Sequence, residues 1–204
     1  MKFSSHIKVN YENRDPLAAT DALFSRRWSP RALRRAEIPD EILDSLFDAA
    51  RWAPSCYNEQ PWIFLAPGDG EFDLFLSLLN EGNQSWARDA ALIGFICARK
   101  HFARNGGENR HAVFDCGAAW MSLALQASRH GLYAHGMAGI KRGEVHKKLG
   151  VPEDKFAVVC GFAVGALDQP GKLPADLAAR EKPSPRKPLS EVRLRGNARA
   201  ALAK

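Results

Sequence analysis

No run of about 18 apolar residues occurs in this 204-residue chain, so the sequence contains no candidate membrane-spanning helix. Cysteine is scarce and scattered, at Cys56, Cys97, Cys116 and Cys160. No C-x-x-C pair and no Cys/His cluster at metal spacing is present, which argues against a zinc module and a disulfide framework. The opening stretch MKFSSHIKVNYENRDP lacks the apolar core of a secretory signal, so the expected location is the cytoplasm. There is no internal repeat and no linker that would split the chain. No catalytic dyad or triad is visible.

What is present is ordinary globular composition, 46% hydrophobic and 25% charged. It predicts a single domain over 1–204, with a polar arm at 1–15 and a basic extension at 168–204 wrapping the domain or a partner. The net charge of +6 is concentrated in that extension: residues 180–204 hold eight Lys and Arg residues against Glu181 and Glu191. A second basic cluster comprises Arg26, Arg27, Arg31, Arg34 and Arg35. Such clusters serve as solvated faces, nucleic-acid surfaces or phosphate sites. The tail lacks interleaved aromatic residues, and no helix-turn-helix or zinc pattern precedes it, so nucleic acid is not an expected partner.

Apolar spacing predicts helices over 16–26, 39–52, 71–80, 111–131 and 143–149. In 39–52, Ile42, Leu43, Leu46, Phe47 and Ala50 make one face, and Pro54 bounds the helix. The segments 62–66, 91–98 and 155–165 read as strands, the last two covered on both faces. The order implies an α+β domain: a small mixed, mainly antiparallel sheet flanked by helices. Cys97, Cys116 and Cys160 lie in apolar stretches and read as buried free thiols. Cys56 lies in a polar loop.

Four stretches carry candidate chemistry. In S-R-R-W-S-P-R (25–31), guanidinium groups and a serine hydroxyl suit one phosphate, as does an exposed basic helix end with no ligand. In A-P-S-C-Y-N-E-Q-P-W (53–62), Asn58 and Gln60 match a heteroaromatic ring edge, or else satisfy their own turn. N-E-G-N-Q-S-W (80–86) reads as a polar loop offering Asn83. H-G-M-A-G-I (135–140) reads as a glycine-rich turn that lets a ligand approach the backbone, with His135 as a structural histidine.

Taken in order, these motifs resemble the flavin-dependent nitroreductase family. R-R-W-S-P-R-A-L matches its R-x-S-x-R/K element, and A-P-S-C-Y-N-E-Q-P-W its A-P-S-x-x-N-x-Q-P-W element. The likeness continues through N-Q-S-W, D-x-G-x-A at 115–119, G-L at 131–132, G-M-A-G and P-R-K-P-L at 185–189. Three positions depart from the common pattern, Cys56, Trp28 and Ala138.

The resemblance implies an intertwined homodimer binding FMN at the subunit interface. Arg26, Arg27, Trp28, Ser29 and Arg31 would hold the phosphate and nearby ring edge, with Arg186 and Lys187 reaching the phosphate from the tail. Asn83 would read the pyrimidine end of the ring, and Met137, Ala138 and Gly139 would face it through their backbone. Pro54, Ser55, Cys56, Asn58 and Gln60 would come from the other subunit. The implied reaction is ping-pong transfer of two electrons from NADH or NADPH to a nitroaromatic, quinone or similar acceptor. A reductive dehalogenase, a flavin-degrading enzyme and a non-catalytic flavin-binding protein are the alternatives. Residues 99–112 read as a lid, and Tyr57, Trp86 and Phe102 as acceptor-pocket residues.

Overall fold

The computed structural model describes Phe3, residues 6–194 and Gly196. The elements in chain order are α1 (Ala22–Arg26), β1 (Leu33–Arg34), α2 (Asp40–Arg51), β2 (Trp62–Leu65), α3 (Phe72–Ser77), α4 (Glu81–Ala87), β3 (Leu92–Arg99), α5 (Ala112–Arg129), β4 (Leu132–Met137), α6 (Arg142–Lys148), β5 (Phe156–Leu167), α7 (Ala175–Ala178) and α8 (Leu189–Val192). β5 is the spine of a five-stranded sheet. It pairs with β3 along one edge, where β1 continues the row, and with β4 along the other, while β2 extends beyond β3. Every one of these pairings is antiparallel.

Alternation along β3 explains the layering, because successive strand side chains point to opposite faces. Leu92, Ile96 and Ala98 join the core formed with α2 and α5. Ile93, Phe95 and Cys97 join the opposite core, with residues of α3, α4 and α6. The strand is therefore covered on both faces, as its unbroken apolar run predicts. α5 packs closely because Cys116, Ala119, Leu123, Ala124 and Ala127 recur on its buried face and most are small. Gly131 ends it at φ +78, and a Cβ there would lie 2.4 Å from the Phe3 backbone oxygen, where the N-terminal arm crosses.

Several elements differ from the sequence reading. The helix expected over 16–26 is only Ala22–Arg26, because Asp21 caps it by accepting from the Leu23 N–H. The expected loop 80–86 is largely α4, whose polar residues are tolerated because Trp86 and Ala87 bury their side chains. The expected turn at 135–140 is largely strand: His135, Gly136 and Met137 pair with Ala163, Phe162 and Gly161 of β5. Cys97, Cys116 and Cys160 are free thiols that burial raises to about 11, 12 and 11. Among the described residues, no helix is long and apolar enough to cross a membrane. None of their His, Cys, Asp and Glu side chains cluster so as to hold a metal ion.

Candidate functional site

The arginine-rich loop 25–31 leaves α1 and is fixed by two distant segments. Trp28 is buried and meets the Tyr133 ring edge-on at 6.2 Å. His135 Nδ1 lies 2.9 Å from the Pro30 carbonyl oxygen, and its ring packs on Trp86 at 4.7 Å. With that geometry Nδ1 carries the proton and donates. Burial, and then the nearby Arg31 and Arg27 charges, hold this imidazole down at about 4 against its partially offsetting hydrogen bonds, so it stays neutral at pH 7. From the tail, Glu181 Oε1 accepts the Arg31 and Ala32 backbone N–H groups at 2.6 and 2.8 Å.

These contacts enclose a cavity of about 230 Å³. Arg27, Trp28, Ser29 and Arg31 line it from the loop, Arg14 from the arm, His135 from β4, and Arg186 with Glu181 from the tail. Arg27 Nη1 also donates to Ser29 Oγ at 3.3 Å. Burial, and then Arg186 and Arg14, pull Arg27 below an ordinary arginine. Burial and Arg186 do the same to Arg14. These cations outnumber the single carboxylate of Glu181, whose Oε1 already serves two backbone amides.

The cavity is also short of hydrogen bonds. Among the described residues, four buried side-chain polar atoms lack a partner: Arg14 Nε, Trp28 Nε1, Glu181 Oε2 and Asn109 Nδ2. The first three belong to side chains that line this cavity. Buried polar groups are nearly always paired, and an unpaired one costs about 1–3 kcal/mol. Two orphan donors and surplus positive charge suit an anionic ligand rich in acceptor oxygens.

Not every expected phosphate residue joins this cavity. Arg26 faces another hollow, with Tyr11, Gly131 and Tyr133. Lys187 lines a neighbouring apolar hollow and pairs with Glu191 at 3.8 Å. Met137 is buried in the core, which leaves only its backbone to meet a ligand. Asn83 sits on α4 and gives one amide N–H to the Gly139 oxygen at 2.9 Å. Its other N–H and its oxygen are what it can offer a ring edge. A Cβ at Gly139 would lie 2.8 Å from Asn83 Nδ2, so any larger residue there would push the Asn83 amide aside. Ala138 and Gly139 follow directly on β4, which also carries His135 past the cavity.

The 53–60 loop is a separate construction. Asp115, buried in the first turn of α5, accepts the Cys56 backbone N–H at 3.1 Å. Ser55 Oγ accepts the Gln60 N–H at 2.9 Å, and Gln60 Nε2 donates to the Asn58 carbonyl at 3.0 Å. Tyr57, Asn58 and Gln60 all hold positive φ, at 53°, 56° and 49°. The 99–112 segment braces this loop: Glu59 accepts the Ala103 N–H, and Arg104 lies 3.9 Å over the Tyr57 ring. Tyr57 and Phe102 meet edge-on at 6.0 Å. Trp86, expected beside them, is instead buried in the core, where its ring packs on His135.

Sequence reasoning missed Arg14 and Glu181, and gave Asp115 only as the first residue of the D-x-G-x-A motif, without its role as acceptor of the Cys56 N–H. Arg14 lies in a featureless polar arm. Glu181 had a faint signal, as one of two acids in a basic run. Asp115 is an acid among apolar residues at the start of a helix, which marks burial with a partner but does not say which.

The nitroreductase family model matches residues 24–73 and 67–166. A protein of Methanothermobacter thermautotrophicus, provisionally named NADH dehydrogenase/NAD(P)H nitroreductase, is 30% identical over 135 residues, 64% of this chain and 68% of its own. A crystal structure described as an oxidoreductase containing FMN has a TM-score of 0.86 and 43% identity, covering 93% of this chain and 98% of that one. A provisionally named nitroreductase in complex with FMN from Desulfovibrio desulfuricans has the same fold, with a TM-score of 0.67 at 22% identity over 86% of this chain and 95% of its own. The matched residues include the arginine loop and His135 of the cavity, together with the 53–60 loop, α4 and the rest of β4, and this chain belongs to the nitroreductase family.

Proposed function

We propose that this protein is an FMN-dependent oxidoreductase that passes two electrons from NADH or NADPH to a small electron-poor acceptor, a nitroaromatic, a quinone or a similar compound, in ping-pong fashion. The observation that carries the reading is the cationic cavity, three of whose lining residues each hold a buried polar atom without a partner. FMN fits it chemically, with a dianionic phosphate for the arginines and a hydroxylated chain whose oxygens can accept from the orphan donors. Bound FMN supplies the hydride chemistry, so the chain needs no catalytic dyad of its own.

The residues divide the work. Arg27, Ser29 and Arg31, with Arg14 and Arg186, hold the phosphate by charge-assisted hydrogen bonds. Asn83 and the Ala138–Gly139 backbone hold the amide-like ring edge. His135, neutral and hydrogen-bonded to Pro30, keeps the arginine loop in place without adding a titrating charge. Donors fixed beside the ring stabilise negative charge as it develops there.

The working unit is a homodimer in the cytoplasm, and the partner's copy of the 53–60 loop completes the ring site. Supporting this, Phe114 at the start of α5 is 80% exposed, Trp52 after α2 is 74% and Tyr57 is 70%. That much large apolar surface near one loop is a feature of surfaces that become covered.

The visible spectrum of FMN-loaded protein, before and after NADH or NADPH under nitrogen, tests the reading. Bleaching is the expected result, and a flavin spectrum that persists would make this a flavin-binding protein without turnover. Arg27→Ala should weaken FMN binding by about 1.5–3 kcal/mol, as for loss of a hydrogen bond to a charged group. An unchanged dissociation constant would move the phosphate elsewhere.

A further inference from the structure

Residues 180–186 close one side of the cationic cavity, yet little apolar contact holds them there. From 181 to 187 only Pro183 is buried. Arg186 gives its Nη1 hydrogens to the Ser184 and Pro185 carbonyls, which is purely local order. Two hydrogen bonds tie this stretch to the arginine loop, and both end on Glu181 Oε1. They join positions 150 and 149 residues apart in the chain.

Electrostatics opposes docking of the tail. Arg186 lies close enough to Arg14 and Arg27 to make both of their charges less favourable. In an empty cavity that repulsion pushes Arg186 outward. A tether at Glu181 opposes it. Arg186 is five positions beyond Glu181, a reach of at most about 18 Å. Pinning one end therefore keeps the guanidinium at high local concentration near the loop.

Glu181 has no favourable direct effect on a bound phosphate. Its second oxygen is buried and unpartnered, and a carboxylate beside a dianion repels it. Position and charge thus pull in opposite directions at one residue. We propose that Glu181 is a positioning residue of the phosphate site: by binding the Arg31 and Ala32 amides, it fixes that loop and delivers Arg186 to the ligand. This rests on the FMN reading above.

The opposed effects make the test sharp. Apoprotein is titrated with FMN and with riboflavin, which lacks the phosphate, for wild type, Glu181→Ala and Glu181→Gln. Tryptic cleavage after Arg186 is timed on the same apoproteins. Glu181→Ala should bind FMN about tenfold more weakly, leave riboflavin affinity within about twofold, and speed the cleavage. Glu181→Gln keeps an oxygen for both amides and removes the charge, so it should bind FMN as wild type does, or more tightly, with the tail protected. Unchanged FMN affinity in Glu181→Ala would overturn the proposal. So would equal losses for both flavins, or a Glu181→Gln variant no better than Glu181→Ala. A wild-type chain that takes up neither flavin would instead sink the FMN reading, and the cleavage rates would still decide whether Glu181 holds the tail.

Discussion

The two loops that carry the family motifs are built on opposite principles. The 25–31 loop is held from outside, by His135 on the Pro30 oxygen and Glu181 on the Arg31 and Ala32 amides, and it faces a cavity with polar atoms left over. The 53–60 loop largely satisfies itself, through Ser55, Gln60 and the anchor at Asp115. Its strain is in the backbone, at Tyr57, Asn58 and Gln60 of positive φ, all three of them exposed. A left-handed residue other than glycine costs about 1–2 kcal/mol, less for Asn. The first loop lines a cationic cavity formed within one chain. The second exposes Tyr57, Asn58 and Gln60 on a backbone fixed by its own hydrogen bonds and by Asp115.

Acid should separate the two loops most strongly. His135 has a folded value of about 4 and an ordinary value of 6.5. Folding therefore favours the neutral ring, and its contribution is complete above pH 6.5. As pH falls from 6.5 towards 4, the unfolded chain binds a proton that the native protein does not, and stability declines. The loss should approach about 2–3 kcal/mol by pH 4. Denaturant titrations across this range should give that slope, and hydrogen exchange should quicken in 25–31 before 53–60. In His135→Gln the slope should largely vanish. If it survives there, another group titrates and His135 is not the strut.

Asp115 is the corresponding test of the second loop. Asp115→Ala leaves the Cys56 N–H without its acceptor, which costs about 1–3 kcal/mol. The amides of 53–60 should exchange faster, while a phosphate probe at the arginine cavity binds as before. Loss of both together would mean that the two loops form one cooperative unit, and the contrast between them would fail.

The same contrast explains what could be read from the sequence. α2, α5, β3 and β5 were legible because their apolar residues recur at helical spacing or run unbroken, and burial follows pattern. β4 was not, because Gly131, His135 and Gly136 resemble turn chemistry, and only pairing with β5 makes them a strand. α4 was hidden by Gly82, Asn83 and Ser85, weak helix formers that the burial of Trp86 overrides. At the site, Arg27, Ser29 and Arg31 were readable as residue types suited to phosphate and Arg186 through the family resemblance, and the structure lines one cavity with all four. Arg14 and Glu181 were not, because nothing local places residue 14 or 181 beside residue 31. Motif reading finds residue types with phosphate chemistry and His135 as a structural histidine, but it names no partner across the fold, since that is defined by tertiary proximity alone.

The smallest expected effect bears on the strained loop. Gln60→Gly relieves a left-handed residue, a gain of about 1 kcal/mol. Against this, glycine loses more backbone freedom on folding, about 0.5–1 kcal/mol. The bond from Gln60 Nε2 to the Asn58 carbonyl is also lost, and for an exposed pair that is worth about 0.5 kcal/mol or less. These terms nearly cancel, so the melting temperature should move by no more than a few degrees. Function should change more than stability. If the loop acts by presenting a fixed shape to another subunit, freeing its backbone should lower flavin affinity or turnover while the fold stays intact. A variant with wild-type flavin affinity and turnover would mean that the rigidity of this loop has no part in the site.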